Sequence, residues 1–266
     1  MKIGFIGTGN MGGALARAAA KGGHTLLLAN RTPAKAAVLA KELGGTVCPN
    51  AEAAETAELL FLGVKPQGLP GLAEELAPVL QARKGNAPVV VSMATAVTLR
   101  ELDAMLGGGL PLIRIMPNTP AAVGAGTILY AAQNVTDAQL SAFRAVLAQA
   151  GLLLPLPEEK IDAASAISGC GPAFCFQFAD ALALGGVRAG LSYPDACRLA
   201  AQTMLGAAEM LLQGGEAPDV LKMRVCSPAG TTIEGVLALE QGGFSYTVQN
   251  AVTAAYRRTV EMTKKG

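Results

Sequence analysis

The chain has 266 residues and a formal net charge of +1, and only 15% of its residues are charged. It therefore has no basic stripe or arm, and we expect no nucleic-acid partner. Hydrophobic residues make up 51% of the chain but aromatic residues only 4%, so Ala, Leu, Val and Gly must fill the core. The low charge also indicates that much of the surface is buried against other subunits.

Strands alternate with helices over the first 155 residues. Short apolar runs without a helical period predict strands, and the first of them, at 2–6, leaves no room for a signal peptide. The other strands are predicted at 24–29, 46–48, 59–64, 88–92, 111–116, 127–131 and 152–156. Helices are predicted between them at about 14–23, 33–43, 51–57, 68–80, 98–106 and 137–149. This order predicts right-handed βαβ units and a Rossmann-like, doubly wound, mostly parallel sheet in an α/β fold.

After Pro155 the chain shows helical periods and no convincing strand. Helices are predicted at 160–168, 172–189, 193–213, 216–224, 230–241 and 243–264. We therefore predict a nucleotide-binding domain at 1–155 and an all-α domain at 156–266. The weakly charged stretch 163–187 is interrupted by Gly and Pro, and we interpret it as a buried helix behind a turn and not as a membrane span.

The five cysteines do not form a metal or disulfide pattern. Their number is odd and no two of them form a C-x-x-C pair. We expect no metal, and we interpret the cysteines as small apolar fillers in a reducing, cytoplasmic compartment.

A glycine-rich turn follows the first predicted strand and opens the first predicted helix. Its residues are Gly7, Thr8, Gly9, Asn10, Met11 and Gly12. The G-x-G-x-x-G spacing permits a tight turn, a close approach to a pyrophosphate and close packing of helix on strand. The alternative is a βα turn that binds nothing.

The tip of the second predicted strand discriminates between cofactors. It reads Asn30-Arg31-Thr32, without the acid that holds the ribose hydroxyls of NAD. Arg31 can bind a 2′-phosphate, so we predict NADPH, with NADH possible but weaker. A surface arginine in a loop is the alternative.

Three further polar loops follow predicted strands, at the sheet edge where open α/β sheets bind ligands. They contain Val64, Lys65, Pro66 and Gln67; Met93, Ala94, Thr95 and Ala96; and Pro117, Asn118, Thr119 and Pro120. Each could be ordinary turn chemistry.

In the second half, a Ser-Pro-Ala-Gly-Thr-Thr turn leads directly into a helical pattern. It places Ser227, Gly230, Thr231 and Thr232 at a helix N-terminus. Unpaired backbone donors and a partial positive charge make such a terminus suitable for a carboxylate. The alternative is a threonine that only caps its helix.

The chain lacks the proton relay that ketone chemistry usually needs: Tyr130, Tyr193, Tyr246 and Tyr256 have no partner lysine at short spacing. The single histidine, His24, begins the second strand, and no lysine lies between Lys160 and Lys222. Reduction of a ketone usually needs a proton relay through His, Lys or Tyr. A protonated imine is already electrophilic and needs only hydride, orientation and one hydroxyl.

Five segments resemble the pyrroline-5-carboxylate reductase family along essentially the whole chain. They are CSPAGTTIEGVLALE at 226–240, SGCGPAF at 168–174, MPNTPAAVGAG at 116–126 and the opening GFIGTGNMG, with VKPQ at 64–67. The first two are specific to the family, whereas G-x-G-x-x-G is shared with many reductases.

The resemblance implies NADPH-dependent reduction of 1-pyrroline-5-carboxylate to L-proline, the last step of proline biosynthesis. It implies cofactor contacts at the glycine-rich turn, Arg31, Asn50 and the Val64–Gln67 loop, with the nicotinamide at Met93–Ala96. It assigns the hydroxyl that faces the imine nitrogen to Thr232, the carboxylate site to Ser227, Gly230, Thr231 and Thr232, and an acid near the substrate ring to Glu158. Arg224 and Cys226 stand where some members have Asn and Ser, at the outer rim of the carboxylate pocket.

The resemblance also implies a homodimer with interlocked helical domains, arranged in a ring of dimers in some members, with substrate pockets between subunits. Two other functions stay open from the residues. One is a hydroxyacid or ketopantoate-type NADP dehydrogenase, against which the missing lysine argues. The other is a nucleotide-sensing protein without turnover, against which the intact turn at 227–232 argues.

Overall fold

The computed structural model describes residues 1–83 and 85–263, and these divide into two compact units. The first unit contains Met1–Gly169 and the C-terminal segment from Tyr256, and the second contains Cys170–Ala255. The first unit thus extends beyond residue 155, where we place the functional domain boundary; that boundary stays a prediction.

An eight-stranded sheet in the order β3-β2-β1-β4-β5-β6-β7-β8 forms the centre of the first unit. Its strands are β1 Lys2–Ile6, β2 Thr25–Ala29, β3 Thr46–Val47, β4 Leu59–Leu62, β5 Val89–Ser92, β6 Leu112–Pro117, β7 Gly126–Gln133 and β8 Gly151–Pro155. Every pair is parallel except β6 with β7. The mostly parallel, doubly wound sheet predicted from the alternating elements is confirmed.

Helices cover both faces of this sheet. They are α1 Asn10–Ala20, α2 Pro33–Leu43, α3 Asn50–Thr56, α4 Leu69–Ala82, α5 Leu99–Met105, α6 Asp137–Leu147 and α7 Glu158–Ser168. Short 3₁₀ turns lie at Pro66–Gly68, Thr119–Val123 and Ala148–Ala150.

Two hydrophobic cores lie on the opposite faces of the sheet, because successive side chains of a strand alternate. On β6, Ile113 and Ile115 belong to one core, with α1 and α6. Leu112 belongs to the other, with α3, α4, α5 and Ile161 of α7. Both faces are therefore buried, which explains why the strands are continuous apolar runs.

The main differences from the predicted strand bounds have a local cause. Strand β4 ends at Leu62 and not at residue 64, since Gly63 turns where its backbone meets that of Gly7. Strand β7 is longer than predicted, because it pairs with β6 along six consecutive residue pairs.

The second unit is entirely helical. Its helices are α8 Gly171–Arg188, α9 Tyr193–Gly214, α10 Pro218–Arg224, α11 Thr231–Gln241 and α12 Phe244–Thr263, the last of which continues into the first unit. Helices α8 and α9 pack against each other, and Phe178 lies beside Phe244.

The expectation that 163–187 is a buried helix is wrong for the single chain. The stretch Glu158–Arg188 has the length and mean hydropathy, 1.3, of a membrane span, but only 6% of that apolar window is buried. A turn at Gly169 and Cys170 divides it into α7 and α8, and Ala183 is the buried residue of α8. The described residues thus leave much of the apolar surface of α8 exposed, at Phe176, Leu184 and Val187 among others.

We predict that Leu60→Ala destabilises the protein by about 2–5 kcal/mol, because Leu60 is fully buried and its truncation leaves a cavity beside Gly4. Thermal unfolding should show a lower melting temperature. The control is Val38→Ala, at an exposed position on α2, which should leave the melting temperature nearly unchanged. Equal melting temperatures for the two variants would contradict this reading of the core.

Candidate active site

Backbone contacts between glycines build the turn after β1. Gly7 has φ +96°, a conformation that favours glycine. A Cβ on either Gly12 or Gly63 would overlap the carbonyl oxygen of Gly7. The first helix and the tip of β4 can therefore both approach this turn only because side chains are absent.

The N-terminus of α1 is open to a ligand. Its N-cap is Gly9, no side chain caps it, and the Gly13 N–H donates to the Gly9 carbonyl. The preceding N–H groups are those that a helix cannot satisfy internally. Thr8 is buried, and among the residues that the structure describes its Oγ1 has no hydrogen-bond partner. An uncapped helix end beside an unpartnered hydroxyl fits a phosphate group.

Asn30 shapes the tip of β2. Its Oδ1 accepts a hydrogen bond from the Thr8 N–H at 3.1 Å, and its Nδ2 donates to the Thr32 carbonyl at 3.0 Å. Asn30 therefore joins the glycine-rich turn to the Arg31 loop. Its side chain acts on the chain itself, and a direct contact with the cofactor stays a prediction.

Two exposed cations follow Asn30. Arg31 lies at the strand tip, and Lys35 lies in the first turn of α2. Neither forms an ion pair within residues 1–83 and 85–263. Both are thus free to bind a phosphate, whose charge they can complement.

These elements surround a cleft of about 720 Å³ at the carboxyl edge of the sheet. The predicted cofactor residues that line it are Gly7, Gly9, Asn30, Arg31, Asn50, Val64, Lys65 and Gln67. Lys35 and Glu75 also line it, and Asn50 Nδ2 donates to Glu75 Oε2 at 3.0 Å. The volume suits a cofactor, and the glycine turn, the open helix end and the two cations match a dinucleotide phosphate.

The remaining predicted cofactor residues lie outside this lining. Thr8 and Asn10 line a neighbouring hollow, which shares Gly9 and Lys35 with the cleft. Met11 and Gly12 lie in the first turn of α1, and Pro66 begins the 3₁₀ turn after β4. The loop after β5, the neighbour of β4 in the sheet, contains Met93, Ala94, Thr95 and Ala96. Ala94 is buried, and Ala96 has φ +62°.

Asn118 has structural hydrogen bonds. It is buried, its Oδ1 accepts from the Thr127 N–H, and its Nδ2 donates to the Ser168 carbonyl, both at 2.8 Å. These bonds tie the end of β6 to β7 and to the last turn of α7. A cofactor contact by Asn118 would use its backbone, its remaining amide hydrogen or the second lone pair of Oδ1.

Glu158 lies in a cluster with Arg114 and Asp162. Arg114 Nη1 is 3.3 Å from Glu158 Oε1, and Arg114 Nη2 is 2.7 Å from Asp162 Oδ1. Glu158 Oε1 also accepts the Leu99 N–H at 2.7 Å. Glu158 is therefore held by α5 and β6, while its contact with a substrate stays a prediction.

In the second unit, the turn at 227–230 opens α11. Ala229 has φ +55°, which is uncommon for a residue other than glycine. The Gly230 N–H donates to the Ser227 carbonyl at 3.0 Å, and a Cβ on Gly230 would overlap Ser227 Oγ. The turn thus brings the Ser227 hydroxyl onto the backbone at the helix mouth.

The hydroxyl groups at the N-terminus of α11 are not hydrogen-bonded to other described residues. The N-cap of α11 is Gly230, with no side-chain cap. Ser227, Thr231 and Thr232 are exposed, and within the described ranges their hydroxyls form no hydrogen bond. The alternative that a threonine caps this helix is therefore excluded in this structure. The three hydroxyls and the open N–H groups can instead donate hydrogen bonds to a carboxylate.

Arg224 is already paired. Its guanidinium binds Glu216 through both terminal nitrogens, with Nη2 at 2.6 Å from Oε1. Arg224 is the last residue of α10 and precedes Ser227 by three positions. Arg224 would have to leave Glu216 in order to bind a substrate carboxylate.

Sequence reasoning missed Lys35, Glu75, Arg114 and Asp162. Lys35 could have been predicted as a site residue, because a helix that starts at Pro33 has its first turn close to the tip of β2. Arg114 also gave a signal, as a lone charge in the apolar strand Leu112–Pro117. Glu75 and Asp162 gave none, since acids at helix surfaces are common.

Comparison with known proteins matches both halves of the chain. Residues 158–262 match the family described as pyrroline-5-carboxylate reductase dimerisation, and residues 2–96 match the family described as NADP oxidoreductase coenzyme F420-dependent. The pyrroline-5-carboxylate reductase of Synechocystis sp. is 39% identical over 274 residues, covering 100% of this chain and 99% of that protein.

Solved structures agree. The pyrroline carboxylate reductase of Plasmodium falciparum with NADP bound has a TM-score of 0.85 and 30% identity and covers 99% of both chains. The pyrroline-5-carboxylate reductase of Coxiella burnetii has a TM-score of 0.90 and 32% identity and covers 97% of both chains. With such identity over its whole length, the chain belongs to the pyrroline-5-carboxylate reductase family.

Proposed function

We infer that the protein is an NADPH-dependent pyrroline-5-carboxylate reductase, which reduces the C=N bond of 1-pyrroline-5-carboxylate to give L-proline. The observation that carries this inference is the mouth of α11, where three hydroxyls without partners surround an open helix N-terminus. A helix N-terminus binds the carboxylate of the substrate, and a hydroxyl can hydrogen-bond its ring nitrogen. The reaction completes proline biosynthesis.

The first unit would hold the cofactor. The open end of α1 and the Thr8 hydroxyl would bind the pyrophosphate, and Arg31 and Lys35 the 2′-phosphate. The other end of the dinucleotide would then lie over β4 and β5, which Val64–Gln67 and Met93–Ala96 follow. When bound, NADPH supplies the hydride.

The second unit would hold the substrate. The N–H groups of Gly230, Thr231 and Thr232 and the Ser227 hydroxyl would bind the carboxylate. The Thr232 hydroxyl would hydrogen-bond the ring nitrogen as it changes from imine to amine. That bond can strengthen in the transition state, so it accelerates the step as well as binding the substrate.

The two alternatives need different observations. A hydroxyacid dehydrogenase would need a proton relay, and between residues 161 and 221 the chain has no lysine. A sensor without turnover would bind NADPH and reduce nothing. NADPH oxidation with pyrroline-5-carboxylate, measured beside a panel of ketoacids, distinguishes all three: oxidation with the imine alone supports the proposal, and oxidation with a ketoacid or with neither contradicts it.

Assembly and location follow from the same inference. The match to a dimerisation family supports a homodimer. Exposed apolar residues on α8, α9 and α12 would form the surface between the two subunits. An apolar hollow of about 590 Å³ lies among Phe174, Phe178, Met204, Phe244 and Val248. We propose a ring of such dimers in the cytoplasm.

Arg31→Ala should raise the KM for NADPH more than the KM for NADH, because it removes a charge-assisted contact worth about 1.5–3 kcal/mol. Lys35→Ala should act in the same direction, since Lys35 lines the same cleft. Lys41→Ala is the matched control: Lys41 lies in the last turn of the same helix and outside the cleft lining. Equal effects on both cofactors would remove Arg31 and Lys35 from the 2′-phosphate site.

Thr232→Ala should lower the single-turnover rate on the order of 10- to 1,000-fold, with little effect on NADPH affinity, because one hydrogen bond to the transition state is lost. Ser227→Ala should mainly raise the KM for the imine. Thr232→Ser keeps the hydroxyl and should recover most of the rate. The melting temperature should not change, since Thr232 caps nothing. A fully active Thr232→Ala protein would exclude the residue from the mechanism.

The protein should be a dimer or a higher assembly of dimers at micromolar concentration, because the single chain leaves Phe176, Leu199, Leu205 and Leu212 between 52% and 79% exposed. Sedimentation velocity measures this directly. A stable, active monomer would refute the prediction.

A further inference from the structure

Arg114 occupies an unusual position for a charged residue. It lies on β6 between Ile113 and Ile115, and its side chain is 4% exposed. Because successive side chains of a strand point to opposite faces of the sheet, Arg114 lies on the face that carries Leu112, Val90 and Leu62. All three are buried in the same apolar core. A guanidinium in such surroundings needs partners, because burial of an unpaired charge is strongly unfavourable.

Both partners come from the first two turns of α7. Asp162 binds Arg114 Nη2 at 2.7 Å, and Glu158 approaches Nη1 at 3.3 Å. The two acids are one turn apart on the same helix face. Asp162 makes the shorter contact with Arg114, while Glu158 Oε1 is shared between Arg114 and a second donor.

The second donor is a backbone N–H of α5. Glu158 Oε1 accepts the N–H of Leu99, 59 positions earlier in the chain, at 2.7 Å. Leu99 is the first residue of α5, where an N–H has no partner within its own helix. The preceding residue, Thr98, is held from the other side by a capping box with Glu101. Accepting from the Thr98 N–H and hydroxyl lowers the pKa of the Glu101 carboxyl and keeps it ionised.

These contacts fix the segment from Met93 to Thr98 at both of its ends. At its start, the Met93 N–H donates to the Leu62 carbonyl, and Ser92 Oγ accepts the Ala94 N–H. Ser92 is the neighbour of Arg114 in the sheet register, on the same face. Inside the segment Ala96 has φ +62°, a conformation that surrounding contacts must maintain.

The segment 93–98 lies on the side of the sheet edge where the nicotinamide end of the cofactor would bind. Arg31 on β2 would bind the adenosine end of the cofactor, so the nicotinamide end would lie in the opposite direction, across β4 towards β5. The segment 93–98 begins at the carboxyl end of β5.

We propose that Glu158 is a positioning residue: anchored by Arg114 on β6, it holds the Leu99 N–H and thereby the segment 93–98 that faces the nicotinamide. This inference rests on the proposed function for the identity of the cofactor. It differs from the direct role near the substrate ring that the family resemblance implies, because here Glu158 acts on the protein backbone.

The chain supplies a matched pair for the test. Glu158→Ala and Asp162→Ala each remove one carboxylate from Arg114, but only Glu158 reaches Leu99. Glu158→Gln is a third variant that keeps an acceptor oxygen for the Leu99 N–H and removes the charge.

The first measurement is hydrogen exchange in the free protein. Peptides that contain Leu99 should exchange faster in Glu158→Ala than in Asp162→Ala, although both variants should have lower melting temperatures. The second measurement is the affinity for NADP⁺ and for 2′,5′-ADP, which lacks the nicotinamide. Glu158→Ala should weaken NADP⁺ binding and leave 2′,5′-ADP binding unchanged.

The third measurement is the single-turnover rate with the imine. Glu158→Ala should lower it on the order of 10- to 100-fold through misplacement of the reacting groups, and Asp162→Ala should not. Glu158→Gln should retain most of the rate. If Glu158→Gln is as slow as Glu158→Ala, the charge acts on the substrate and the proposal is wrong.

Equal exchange and equal rates in Glu158→Ala and Asp162→Ala would also overturn it, since the cluster would then only stabilise the fold. If the wild-type protein does not reduce the imine, the proposed function fails. The exchange and affinity measurements would still decide the role of Glu158.

Discussion

The close approach of three glycine backbones at the carboxyl edge of the sheet is the constraint on which the first unit depends. The Gly7 carbonyl lies against Gly12 of α1 and against Gly63 after β4, without room for a Cβ at either place. This brings an uncapped helix terminus to the end of β1 and turns the chain out of β4 at the same point. Any side chain there would push the helix outward and separate its N-terminus from the end of β1.

A second constraint is the burial of one positive charge. Arg114 interrupts an otherwise apolar strand, and Asp162 and Glu158 of α7 must lie above it. Such an ion pair contributes little net stability compared with apolar residues of the same size. Its effect is to specify where α7 lies on the sheet, which a smooth apolar surface would leave less well defined. Asn118 adds a second fixed point at the other end of α7.

Both units use a helix N-terminus without a side-chain cap. At α1 the N-cap is Gly9, and at α11 it is Gly230. Compared with glycine, a Ser, Thr, Asp or Asn cap would have stabilised either helix by only about a few tenths of a kcal/mol, and its oxygen would have occupied N–H groups that an anionic ligand needs. Helix ends without a side-chain cap also occur elsewhere, as at α2, α3 and α4, so α1 and α11 are distinguished by the tight turn in front of each. Ala229, with its left-handed backbone, belongs to the same pattern.

The sequence alone determined the elements and the type of chemistry. Apolar runs without a helical period are sufficient to identify buried strands, and Gly7, Gly9 and Gly12 have a spacing that only a βα turn explains. Only the tertiary structure decided how the side chains are used. Asn30 and Asn118 bond to distant backbone groups, and Glu158 reaches Leu99 across 59 residues. Such contacts depend on which strands are neighbours and on the angle at which α7 crosses the sheet, and these follow from packing of the whole core and not from any local pattern.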